Sequence, residues 1–229
     1  MTKRMSPPRT ALLVGATGLI GRELLPMLVA CKQYRSVRVL LRRATPDIKS
    51  SAKLKIHRVD FASLPAAFPT TDDVYIALGT TIKIAGSESA FRQVDFDYVV
   101  NIARVARAAG ATRLAVVSAV GANAKSRVFY NRVKGEMQEA VAQLGYETVV
   151  IAQPSLLLGD RAALGQPSRS GEIWATRFAG PFGWILPKSV RPIQARAVAA
   201  ALLAATIAAK PGTSILSSGD MHRRIESTR

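Results

Sequence analysis

TALLVGATGLIG, residues Thr10–Gly21, decides how this 229-residue chain folds. Ala11, Leu12, Leu13 and Val14 form an apolar run that ends in glycine, the pattern of a buried parallel strand. Gly15, Gly18 and Gly21 follow at three-residue spacing. Leu19, Ile20, Leu24, Leu25 and Leu28 then recur at helical spacing, so a helix opens inside the glycine stretch. The glycines permit a tight turn, a close approach to a ligand and close packing of helix on strand. A strand–turn–helix of this build offers backbone N–H groups and a positive helix end to a pyrophosphate. A purely structural turn could use the same glycines. The strand before them and the helix after them are the context that favours a nucleotide.

Outward from this corner, strands and helices alternate. Val37–Leu41 reads as a second strand, with Arg42 and Arg43 at its end. In dinucleotide-binding folds an acidic residue about 20 positions past the glycines grips the ribose 2′-hydroxyl of NAD, whereas an Arg accommodates a 2′-phosphate. No Asp or Glu occurs between Glu23 and Asp47, so the two arginines favour NADP(H) over NAD(H). The alternative is a solvated cationic strand end. Lys53–Val59 is a third strand, followed by Asp60 and Phe61. Asp60 can accept from an adenine amino group or cap a short helix at Leu64–Phe68. Val74–Leu78 is a fourth strand, running into Gly79, Thr80 and Thr81 at the sheet's ligand-binding end. Ser87–Gly110 reads as one long amphipathic helix with Phe91, Val94, Tyr98, Ile102 and Val105 on its apolar side. Thr112–Val117 and Thr148–Ala152 are further strands, separated by a helix near Arg127–Leu144.

The fold class is therefore α/β, a doubly wound parallel sheet in a single domain. Residues 1–9 form a basic tail, 10–158 the nucleotide-binding unit, 159–217 a lid or substrate segment with the last helix, and 218–229 a second tail. Met1–Arg9 and Met221–Arg229 are expected to be disordered. Gly159–Ile193 is rich in Gly, Pro, Ser and aromatics, including Trp174, Phe178, Phe182 and Trp184. It is either a lid near the crevice or an apolar seal at the sheet edge or an oligomer contact. Gln194–Ala209 is a terminal helix, and Ser214–Ser217 a short last strand.

A formal charge of +17 favours anionic partners. The basic residues are scattered and no aromatic platform interleaves them, so a solvated basic surface is the better reading than a specific nucleic-acid site. The single cysteine, Cys31, excludes an internal disulfide and reads as a buried free thiol in a reducing compartment. Met1–Arg9 lacks the apolar segment of a secretory leader, and the most apolar helix is too short to span a bilayer. The expectation is a soluble cytoplasmic protein, monomer or homodimer.

Tyr130 and Lys134 lie at i and i+4, on one helix face, and Ser118 ends the preceding strand. An ammonium beside a phenol favours phenolate, which fits the phenol for acid–base work near neutral pH. The same ammonium can bind a nicotinamide ribose, and a serine hydroxyl can polarise a carbonyl. An ordinary half-buried Tyr and a solvated Lys would show the same spacing. Their place one helix after the fifth strand of a Gly-rich-turn domain is what makes the pair specific.

VGATGLIG, VSAVGA and YNRVKGEMQ together resemble the atypical members of the short-chain dehydrogenase/reductase superfamily. IALGTT (Ile76–Thr81), VDFDYV (Val94–Val99) and FYNRVKGEMQEA (Phe129–Ala140) are similar to segments of its Tat-interacting-protein-like branch. The resemblance spans about Thr10 to Ile207. It implies a Rossmann-type fold binding NADPH. Gly15, Thr17, Gly18, Leu19, Ile20 and Gly21 would surround the pyrophosphate, and Arg42 and Arg43 the 2′-phosphate. Asp60 and Phe61 would flank adenine, and Leu78, Gly79 and Thr80 would line the middle of the cofactor. Pro154, Leu156 and Leu157 would cover the nicotinamide, with Ser118, Tyr130 and Lys134 as the catalytic set. Ala77 and Ala119 depart from the branch pattern, so polarisation of the substrate falls to Ser118. Asn101 lies in the helix that carries a relay Asn in many relatives, and it reads as structural. The resulting function is an NADP(H)-dependent oxidoreductase acting on a carbonyl or carbinol. The alternatives are an NADPH-binding regulatory module with a protein partner, and a nucleic-acid binder.

Overall fold

The computed structural model describes residues 8–65, 68–158, 191–208 and 210–226. The run after Thr10 is a strand, β1 (Arg9–Val14), buried along its last five residues. Around it stand β2 (Tyr34–Leu41), β3 (Leu54–Arg58), β4 (Asp73–Ile76), β5 (Arg113–Val117), β6 (Thr148–Gln153) and β9 (Gly212–Ser217). These seven strands form one parallel sheet in the order β3-β2-β1-β4-β5-β6-β9. The short strands β7 (Leu157–Leu158) and β8 (Ile193–Gln194) pair separately. The order reverses between β1 and β4, which places a crevice at their carboxyl ends.

Alternate residues of each strand feed two cores, as strand geometry requires. Leu13, Val39 and Val150 face α1 (Leu19–Ala30) and the helix Ala195–Ala208, here called α6. Leu12, Val14 and Val116 face α4 (Val99–Ala108) and α5 (Phe129–Ala142).

Three expectations need correction, and one helix is new. The single helix over Ser87–Gly110 is three consecutive segments, α3 (Glu88–Arg92), a π-helical turn (Gln93–Tyr98) and α4. The wider turn moves the buried positions from Val94 and Tyr98 to Asp95 and Val99. A further short helix, α2 (Ile82–Ala85), was not anticipated. It is capped by Thr81, whose side chain accepts from Ile84 N, and ends at Gly86. Leu64–Phe68 contains no helix among its described residues. Cys31 is half-buried rather than buried, at the carboxyl end of α1.

The tails also differ. Arg9 belongs to β1 and pairs with the buried Asp73 at 3.3 Å, while residues 1–7 lie outside the described residues. Tyr34 donates to the same carboxylate at 2.6 Å. Burial pushes the Asp73 carboxyl above its ordinary range, and the Tyr34 and Arg9 contacts oppose that rise. At the other end, Ser218–Glu226 forms a helix, α7, where a disordered tail was expected. Its anchor is Met221, which is wholly buried in the core beneath α6. Met221 and Ile225 stand at helical spacing, but a polar segment of nine residues at the end of the chain reads as a tail unless that pair is weighed. The expected lid falls mostly on residues 159–190, outside the described residues; Ile193, at its end, is buried and paired in β8.

If α7 is part of the core, Met221→Ala should cost about 2–5 kcal/mol in urea unfolding, the range for truncating a buried Met. A loss within error of zero would return the segment to the status of a tail.

Candidate functional site

The corner between β1 and α1 is built on close backbone contact. Gly15 has φ +86°, and a Cβ there would lie 2.5 Å from the Ala77 carbonyl oxygen. A Cβ on Gly21 would run into Gly15 O. Helix α1 is thus seated directly on the ends of β1 and β4. Gly18 is its N-cap, with no side-chain cap and no acidic residue in the first turn. The first amides of a helix have no intrahelical acceptor, so this end is ready for an external anion.

The cleft in front of it has a volume of about 600 Å³. Gly15, Thr17 and Gly18 line one end, and Arg42, Arg43 and Phe61 the other. Leu78, Gly79 and Thr80 form its floor at the end of β4. Arg42 and Arg43 are exposed, and among the described residues neither is in an ion pair. A smaller chamber of about 160 Å³ continues past Gly18, Leu78, Gly79 and Thr80. Its walls bring together Leu19, Ile20, Ser118, Tyr130, Lys134, Pro154 and Leu157.

The remaining expected residues sit elsewhere. Gly21 lies behind the cleft, in the helix–strand contact. Asp60 lies in an open depression with Arg42, Arg43 and Arg58, and its Oδ1 accepts from Ala62 N at 2.9 Å. Leu156 lines neither space; its carbonyl accepts from Ile193 N. Asn101 opens onto an outer depression beside Phe96 and Tyr98, away from the chamber.

Helix α5 reaches the chamber because Gly135 lets it press against the loop after β5. A Cβ on Gly135 would collide with the backbone of Asn123 and Ala124. The preceding turn then carries Tyr130, half-buried, with its ring 5.2 Å from the ring of the buried Phe91. Lys134 is 3% exposed. Its Nζ lies 2.7 Å from Asp95 Oδ1, as an ion pair without the alignment of a directed hydrogen bond. Asp95 is wholly buried, and its Oδ2 accepts from Thr80 N at 2.9 Å. One carboxylate therefore ties the lysine to the floor of the cleft. Sequence reasoning missed Asp95. The available signal was an acid inside the amphipathic stretch VDFDYV, but its partner is 39 residues away in sequence.

The donor set suits a dinucleotide: open helix amides, two arginines without carboxylate partners among the described residues, and an aromatic wall. Among the described residues no cluster of three or more His, Cys, Asp or Glu could hold a metal, and no helix is long and apolar enough to cross a membrane.

Comparison with known proteins agrees with this geometry. A family model described as NAD(P)H-binding matches residues 15–156. "Protein fmp52, mitochondrial" of Emericella nidulans is 33% identical over 178 residues, covering 75% of each chain. "Protein FMP52, mitochondrial" of Candida albicans is 35% identical over 155 residues, covering 65% of this chain and 67% of its own. Among solved structures, MoeE5 in complex with UDP-glucose and NAD superposes with TM-score 0.66 at 14% identity, over 96% of this chain and 81% of that one. That likeness establishes the Rossmann-type fold. The relatives' names correct the expectation of a cytoplasmic protein. The expectation weighed Met1–Arg9 only against the pattern of a secretory leader, which does not separate cytosol from mitochondrion.

Removing one partner of a buried ion pair strands the other. Asp95→Ala should cost about 3–5 kcal/mol in equilibrium unfolding, and Asp95→Ala with Lys134→Met should recover much of it. Two additive losses would show that the pair is uncoupled.

Proposed function

The chain belongs to the NAD(P)H-binding family, and from that premise we propose that it is an NADP(H)-dependent oxidoreductase of the short-chain dehydrogenase/reductase type, within the Tat-interacting-protein-like branch. The observation that supports this reading most is the meeting of Ser118, Tyr130 and Lys134 in one chamber that opens onto the dinucleotide-sized cleft.

In this reading the amides at the start of α1 hold the pyrophosphate, and Phe61 lies against the adenine. Arg42 and Arg43 hold the 2′-phosphate, since no carboxylate at the end of β2 competes for a ribose hydroxyl. A bound nicotinamide supplies or accepts the hydride. Tyr130 gives a proton to the substrate oxygen or takes one from it. Lys134, fixed by Asp95, keeps a positive charge beside that phenol and the cofactor ribose. Ser118 holds the substrate oxygen. Pro154 and Leu157 close the chamber wall against water. The relatives' names favour a mitochondrial compartment for this chain as well.

Two measurements test the proposal. Tyr130→Phe should leave NADPH affinity unchanged and abolish carbonyl-dependent NADPH oxidation; undiminished turnover would remove Tyr130 from the mechanism. Calorimetric titration should show NADPH binding tighter than NADH. Arg42→Ala with Arg43→Ala should weaken NADPH by roughly 10–100-fold, the worth of one or two charge-assisted hydrogen bonds, and leave NADH unchanged. Equal wild-type affinities would refute the arginine assignment.

A further inference from the structure

A serine hydroxyl donates one hydrogen and accepts two. What Ser118 does toward a substrate oxygen is therefore set by what holds its other side. The main chain is fixed, because Ser118 N donates to Ala152 O at 2.7 Å. The side chain is 5% exposed and faces the chamber. Behind it, Gln138 Nε2 donates to Ser118 Oγ at 2.6 Å. Gln138 Oε1 in turn accepts from Gln153 Nε2 at 3.0 Å. Gln153 donates to Gln138, Gln138 donates to Ser118, and the Ser118 oxygen is an acceptor on its protein side. Among the described residues Ser118 Oγ makes no other hydrogen bond, so its own hydrogen is left for the chamber.

Gln138 stands four residues after Lys134 and eight after Tyr130, and is 8% exposed. The three side chains therefore form one stripe along α5. Gln138 lines neither the cleft nor the chamber, so it acts only through Ser118.

We infer that Gln138 is a positioning residue that fixes Ser118 as a hydrogen-bond donor into the chamber. This rests on the oxidoreductase reading and adds a residue to its machinery. A hydroxyl held this way directs its hydrogen to the substrate oxygen as that oxygen takes on carbonyl or oxyanion character during hydride transfer, whichever way the hydride moves.

The test has a spectroscopic arm and a kinetic arm on the full-length protein. In ¹⁵N spectra, the side-chain amide signals of Gln138 should move on Ser118→Ala, which removes their acceptor, while those of Gln153 stay in place. Gln138→Glu keeps the shape but turns the donor nitrogen into an acceptor oxygen, which draws the Ser118 hydrogen out of the chamber. With NADPH and a panel of aldehydes and ketones, kcat should fall by about 100-fold in Gln138→Glu, the scale of losing one donor to a developing oxyanion. KM for NADPH should be unchanged. Ser118→Ala should lose as much, and the double variant no more. Gln138 amide signals indifferent to Ser118→Ala, or wild-type kcat in Gln138→Glu, would overturn the inference. A wild-type protein that oxidises no NADPH with any carbonyl, but shows the expected amide shift, would sink the oxidoreductase reading and leave the Gln138–Ser118 contact upheld.

Discussion

The architecture depends on backbone-to-backbone contact at one corner. Helix α1 sits so close to the ends of β1 and β4 that no side chain fits between them; Gly15 meets the Ala77 carbonyl and Gly21 meets Gly15. The contact has an electrostatic consequence. A helix seated this way, with a glycine N-cap and no acid in its first turn, directs unscreened amides into the cleft. A side chain at either glycine would lift the helix and displace those amides.

A second close contact brings the candidate catalytic side chains to the corner. Gly135 lets α5 press on the loop after β5, which sets Tyr130 and Lys134 opposite Ser118. Asp95 then ties Lys134 to the amide of Thr80, joining α5, the π-helical turn and the end of β4 through one buried carboxylate. A buried pair of this kind is weak evidence for stability, since desolvation offsets much of the attraction. Its value here lies in position. A long, flexible lysine is held at one point of a small chamber, so the charge stays where a phenol and a ribose could use it.

The sequence made the sheet legible because buried parallel strands are written as apolar runs, and the runs at Ala11–Val14, Val74–Ile76 and Val149–Ile151 are unmistakable. Tyr130 and Lys134 were legible because helical spacing fixes their common face. Asp95 and Gln138 were not, since a buried charge and a buried amide are defined by partners remote in sequence: Lys134 for one, Ser118 and Gln153 for the other. The π-helical turn has no local signature, and it is what moved burial from Val94 to Asp95. Helix α7 has a local signal, Met221 and Ile225 four residues apart, but it is short and set in a polar stretch at the end of the chain. Composition carried no information on the compartment.

The central claim is that the β1–α1 corner grips a diphosphate and leaves the phenol–ammonium pair beside the redox ring. A crystal structure of the protein grown with NADPH tests it most directly. The account expects the pyrophosphate against the first amides of α1 and the nicotinamide in the chamber with Tyr130, Lys134 and Ser118. Cofactor density elsewhere on the sheet, or a nicotinamide turned away from Tyr130, would contradict it.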